Sequence, residues 1–262
     1  MFRSGNPALK VFDKPQTLPG FGSDAKTMTI AGTVNAAFIL VSLCAASAIA
    51  SWMMLTSKGA SDVAMPVVIG SFLGGLVTSI IMWFSPRTAP FVSPIYAICE
   101  GILLGAISLV VASRVGGPSG PATGMVFQAI ILTFGIAFSL LIGYKSGLIR
   151  VGSTVKRCMV AALGGITLYF IAGMLLPLAG VQMPLFYEMF GWGKAGMIGI
   201  GFSGLMLVLA SLFLVLDFQS IEAGAQSGAP KYMEWYGAYS LLATLIWIYL
   251  EALRLLSKLR SK

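Results

Sequence analysis

The sequence predicts an all-α protein that crosses a membrane about seven times, and three observations carry that prediction. Hydrophobic residues make up 57% of the chain, charged residues only 10%, and mean hydropathy is +0.90. The apolar residues gather into runs of about 20, the length a helix needs to cross roughly 30 Å of hydrocarbon. The runs are continuous and rich in Leu, Ala and Gly, without the period-two alternation of barrel strands.

In chain order the runs are Met28–Leu55, Val63–Phe84, Pro94–Ala112, Met125–Tyr144, Met159–Leu178, Ala195–Gln219 and Trp235–Leu256. The gaps between them are too short to fold as a soluble domain, so residues 28–262 form one transmembrane domain. Residues 1–27 are a polar tail with Pro7, Pro15, Pro19, Gly20 and Gly22 among mixed charges. That tail lacks the apolar core of a cleaved signal peptide and is expected to stay on the protein, mostly irregular.

Lys and Arg set the expected orientation. The side of the tail carries Arg3, Lys10, Lys14, Lys26, Arg87, Lys145, Arg150, Lys156, Arg157 and Lys231, while the opposite loops carry only Lys58, Arg114 and Lys194. The N-terminus is therefore expected in the cytoplasm. Seven spans would export Arg254, Lys258, Arg260 and Lys262, so either the dense N-side loops prevail or one run is re-entrant. The net charge of +8 is spread over membrane-flanking loops, where it suits anionic lipid headgroups at about 1 kcal/mol per basic residue. A nucleic-acid partner is not expected.

Several enzyme classes are excluded by composition. With no histidine in the chain, neither a Ser–His protease pair nor a HExxH zinc site can exist. Asp217 is the one aspartate within a span, whereas an intramembrane aspartyl protease needs two that share a proton. Cys44, Cys99 and Cys158 form no zinc or disulfide pattern. Neither enzymatic activity nor a cofactor is expected. The clusters Gly164-Gly165 and Gly199-Ile200-Gly201 suit close helix packing.

Three acids lie inside the runs: Glu100, Asp217 and Glu251. A charge at the centre of a bilayer costs roughly 2.5–3.5 kcal/mol on insertion scales, so such residues point to function. At ~1.5 Å per residue, Glu100 and Asp217 share a depth in the N-side half, which makes them a candidate pair. Glu251 falls near the far end with Arg254 one turn away. Ser240, Thr244 and Glu251 occupy one face of the last helix, a polar stripe expected either to line a pathway or to bond back to its own helix and pair with Arg254. An unpaired membrane carboxylate suits reversible protonation or cation coordination. Carboxylate, carbonyl and hydroxyl oxygens are what Ca²⁺ takes, and burial brings proton and cation into competition for one acid.

The segment Leu214-Val215-Leu216-Asp217-Phe218-Gln219-Ser220-Ile221 and the ending Tyr249-Leu250-Glu251-Ala252-Leu253-Arg254-Leu255-Leu256 resemble the C-terminal signature of the transmembrane Bax inhibitor motif family. Ser4-Gly5-Asn6-Pro7-Ala8-Leu9, Pro86-Arg87 and Tyr96-Ala97-Ile98-Cys99-Glu100-Gly101 look like a bacterial branch of it with a longer N-terminal tail. The resemblance implies six helices wrapped around a central last helix and a pH-sensitive calcium leak. It also implies a pH sensor of two aspartates on the last two helices and an arginine latch after the second. Asp217 matches the first aspartate and Arg87 is the candidate latch. The second aspartate is replaced here, by Thr244 when the alignment is anchored on Arg254 and by Glu251 on the local match, with Glu100 as a third candidate. Asp217 and Glu100 are the candidate metal ligands, Ser240 and Thr244 the candidate pathway lining. The expected partners are the bilayer, Ca²⁺ and protons. The alternatives are a non-conducting regulator that docks other membrane proteins through small-residue faces such as Gly70, Gly74 and Gly75, and a proton-coupled transporter.

Overall fold

The apolar runs fold as long helices because hydrocarbon offers no partner for a backbone N–H or C=O, and a helix satisfies them internally. In the computed structural model, which describes residues 27–57, 61–116, 121–181, 183–192 and 196–260, these helices are α1 (Ile30–Thr56), α2 (Ser61–Phe84), α3 (Ala89–Gly116), α4 (Thr123–Lys145), α5 (Ser153–Leu175), a short α6 (Pro184–Phe190), α7 (Met197–Gln226) and α8 (Met233–Arg260). All seven expected spans are present, each long and apolar enough to cross a membrane. The expected tail, apart from Thr27, and its Ser4–Leu9 motif lie outside the described residues.

The outer surface is that of a protein dissolved in lipid. Phe38, Trp83, Phe84 and Phe91 are each more than 70% exposed on the helices, which water would penalise and acyl chains do not. Inside, α8 is the hub, packed against α1, α3, α4 and α7. Six helices do not close a full ring on it, because α2 packs on α3 instead and α5 stands at the edge.

Small residues set the closest contacts. A Cβ on Gly101 or Gly105 of α3 would fall 2.3 Å from the carbonyl oxygens of Cys44 and Ala48 on α1, so glycine is what lets these backbones touch. Gly74 and Gly75 of α2 instead make room for side chains of α3: a Cβ there would meet Cys99 Sγ at 2.8 Å and Glu100 Oε1 at 2.7 Å. They are therefore spent on internal packing and are not free as docking surfaces, whereas Gly70 faces open space.

An odd number of spans puts the two ends of the bundle on opposite sides. The side where α1 begins is called here the N side, and the other the far side. On the N side, Met28 N–H donates to Ala229 O at 2.7 Å, which ties the entry of α1 to the α7–α8 loop. Thr29 caps α1 by accepting from Gly32 N–H.

Candidate functional site

The α7–α8 contact holds the first constituent of the site. Asp217 projects from α7 toward α8, where Ser240 and Thr244, four residues apart and so one above the other, each donate a hydroxyl to it. Ser240 Oγ lies 2.6 Å from Oδ1 and Thr244 Oγ1 2.6 Å from Oδ2. Both carboxylate oxygens are thus held by short, charge-assisted bonds. The expectation that these hydroxyls bond back to their own helix is corrected: the carboxylate is the stronger acceptor and lies within their reach. No described cation pairs with Asp217; the ion pairs among described residues are Lys231–Glu234 and Arg254–Glu251.

Asp217 sits nine residues before the end of α7, roughly 14 Å along the axis. This is deeper than a helix ending at Gln219 would place it. Glu100 sits eleven residues into α3, roughly 16 Å. The expected similarity of depth holds, yet the two acids do not meet. Glu100 lies against Gly75 of α2, and no hydrogen bond joins it to Asp217 or to any other described residue. Depth along a helix leaves the direction around the axis open, and α3 sets Glu100 against Gly75 of α2 while Asp217 bonds to α8. Among the described residues no three His, Cys, Asp or Glu side chains come together. Thr244 occupies the place beside Asp217.

Arg87 stands exposed in the turn Pro86–Thr88 between α2 and α3 and makes no ion pair with any described residue. The structure thus leaves the candidate latch away from Asp217, whose oxygens are already taken by the two hydroxyls.

The far-side end of α8 carries a second polar group. Glu251, 3% exposed, accepts from Arg254 Nη1 at 2.7 Å, and the guanidinium lies 5.0 Å from the Trp192 ring centroid, a cation–π contact. One turn beyond, Lys258 is fully buried. Its Nζ donates to the carbonyls of Glu188 (3.0 Å), Met189 (2.7 Å) and Gly199 (3.0 Å) and approaches Ser203 Oγ at 3.0 Å. The ammonium thereby fastens the short α6 and the start of α7 to the last turn of α8.

Three clusters escaped the sequence reading. Glu234 Oε1 accepts from Thr29 N–H, Thr29 Oγ1 and Lys231 Nζ at 2.8–2.9 Å, clasping α1 to α8 on the N side. Tyr144 at the end of α4 donates to Glu222 of α7. The third is the Lys258 cage, and its signal was present in the seven-residue step from Glu251, which returns to the same helix face.

A model of the family described as Bax inhibitor 1 like matches residues 6–261. The chain belongs to the Bax inhibitor 1 like family. Comparison with curated proteins and with solved structures gives no match. Within this Bax inhibitor 1 like chain the family resemblance and the geometry meet at Asp217, the acid of the quoted signature and the only one of the three span acids shared between the last two helices.

Proposed function

We propose that this protein passes Ca²⁺ or a similar cation across a bacterial-type inner membrane, its N side cytoplasmic, under control of protonation at Asp217. The observation that carries the reading is a membrane carboxylate held on both oxygens by hydroxyls of the central helix, with no described cation to neutralise it. The ionised form accepts from Ser240 and Thr244 at once and pins α7 to α8. Protonation removes the charge that strengthens both bonds and reverses one of them, the acid O–H donating to a hydroxyl oxygen instead of accepting from it, so the contact weakens. In this reading the pathway is shut when Asp217 is ionised and opens as pH falls.

In the open state the neutral acid and the two hydroxyls offer a passing Ca²⁺ only uncharged oxygens, and fewer than the 6–8 it takes, so the site suits brief contact with a hydrated ion and not tight storage. The concentration of Lys and Arg in the N-side loops supports the orientation.

Purified protein in liposomes with an entrapped calcium dye tests the reading. Calcium entry above that of protein-free liposomes, growing as pH is lowered, is expected. Entry equal to the protein-free control at every pH rejects conduction and favours a non-conducting regulator.

A further inference from the structure

Away from Asp217, the far-side half of the bundle contains a crevice of about 410 Å³. One wall is α1 from Val41 to Trp52, the other α4 from Thr123 to Phe134, and the floor is made by α3 and α8 through Leu104, Ser108, Leu242 and Tyr249. It exists because α4 leans on α8 while α1 packs on α3 and α8, leaving α1 and α4 apart.

The polar groups along it are turned inward. Ser108 Oγ and Tyr249 Oη lie 2.6 Å apart, Ser108 also donates to Leu104 O, and Thr133 donates to Ala129 O. A water needs two to four polar partners to be held in a cavity, and these walls present almost only carbon. Left unfilled, the lining would lose dispersion contacts along its whole length.

Its dimensions select the occupant. Both walls run eleven residues, from Trp52 to Val41 and from Thr123 to Phe134, which is roughly 16 Å at ~1.5 Å per residue. Half of a hydrocarbon core of ~30 Å is ~15 Å, so the crevice reaches from the far-side interface to the bilayer centre. An acyl chain entering from the far-side headgroups runs this same depth and offers only carbon, which matches the groove in length and in chemistry. At the rim, Ile49 and Phe127, 61% and 64% exposed, belong both to the crevice and to the lipid-facing surface, so the groove is continuous with the bilayer contact.

We propose that this crevice is a binding site for one acyl chain of a far-leaflet phospholipid, inserted between α1 and α4 and ending against the central helix at Leu242. The bound chain wedges the two helices and covers the Ser108–Tyr249 pair, giving a single lipid direct contact with α8.

The test reconstitutes the full chain in phosphatidylcholine–phosphatidylglycerol vesicles containing a trace of phospholipid with a mid-chain diazirine, followed by photolysis and mapping of adducts. Adducts are expected to concentrate several-fold on Trp52, Ile130 and Phe134 over the outward-facing Phe38, Phe91 and Leu168. Ala45→Trp, at an exposed position on the α1 wall, fills the groove and is expected to remove the excess at Ile130 and Phe134 while Leu168 is labelled as before. Even labelling of all outward faces overturns the proposal, as does an unchanged pattern in Ala45→Trp, or links between two copies across the groove. If Ala45→Trp does not fold, the wild-type pattern decides alone.

Discussion

Asp217 on α7 and Thr244 on α8 face each other at 2.6 Å across the contact between the last two spans. Anchored on Arg254, the family resemblance sets Thr244 where a second aspartate is implied, while the local match sets Glu251 there and Glu100 is the third candidate. Threonine beside Asp217 has a physical consequence. Two carboxylates at that spacing would share a proton, with one held neutral by the other's charge, whereas a threonine hydroxyl donates to an ionised Asp217 and lets a single acid titrate alone.

Removing either hydroxyl should weaken the α7–α8 contact. Ser240→Ala and Thr244→Val each leave one carboxylate oxygen without its donor, at a cost on the order of 1 kcal/mol for a half-buried site. Both variants are expected to melt at lower temperature in detergent and to shift the pH midpoint of calcium entry. A double-mutant cycle should show the two effects to be non-additive, since they share one acceptor.

Glu100 and Asp217 should titrate independently. The first faces α2 and the second faces α8, so Glu100→Gln should leave the pH midpoint of entry where it is and add no coupling to Asp217→Asn. A midpoint that moves only when both are charged would place the two acids together after all.

At the far end, Arg254→Ala strands Glu251, which is 3% exposed. Breaking a buried pair on one side costs about 3–5 kcal/mol, so a large drop in thermal stability is expected. Glu251→Gln combined with Arg254→Met should recover most of it, because neither charge then remains alone. Equal melting of the single and double variants would show that the pair contributes nothing.

Lys258→Met leaves three carbonyls and the Ser203 hydroxyl without the ammonium that gathers them. Amide exchange across Pro184–Phe190 is expected to rise more than exchange in α3, since α6 is held to α8 through this side chain. Unchanged protection of α6 would assign its stability to the Phe186–Phe190 aromatic cluster instead.

Much of this architecture was legible in the sequence because hydrocarbon imposes a simple rule, and the seven apolar runs obey it. Helix ends were less legible. The sixth apolar run stops at Gln219, but α7 continues to Gln226, where Glu222 is engaged by Tyr144 and Gln226 in a polar end that hydropathy cannot see. The third run begins at Pro94, yet α3 starts five residues earlier. Proline in the second turn forfeits one i→i−4 bond, to the carbonyl of Pro90, and leaves the rest of the ladder in place. The seven-residue α6 was missed because it is too short for any period, though Pro184 at its first position is a start signal. In the site, the pairing of Ser240 and Thr244 as one face followed from spacing alone. That Asp217 lies on that face, and Glu100 does not, depends on how the helices are rotated against each other, which no single helix records.

Calcium entry into liposomes by Asp217→Asn, followed from alkaline to acid pH beside the wild type, separates gating by this carboxylate from a pH effect elsewhere in the protein. Asparagine keeps the size of aspartate but is neutral and cannot titrate, so the charge-assisted grip on the two α8 hydroxyls is absent at every pH. Calcium entry is expected to lose its variation with pH and to stay near the level the wild type reaches at its acid end. A variant that leaks at the wild-type rate, with the wild-type pH dependence, would contradict it.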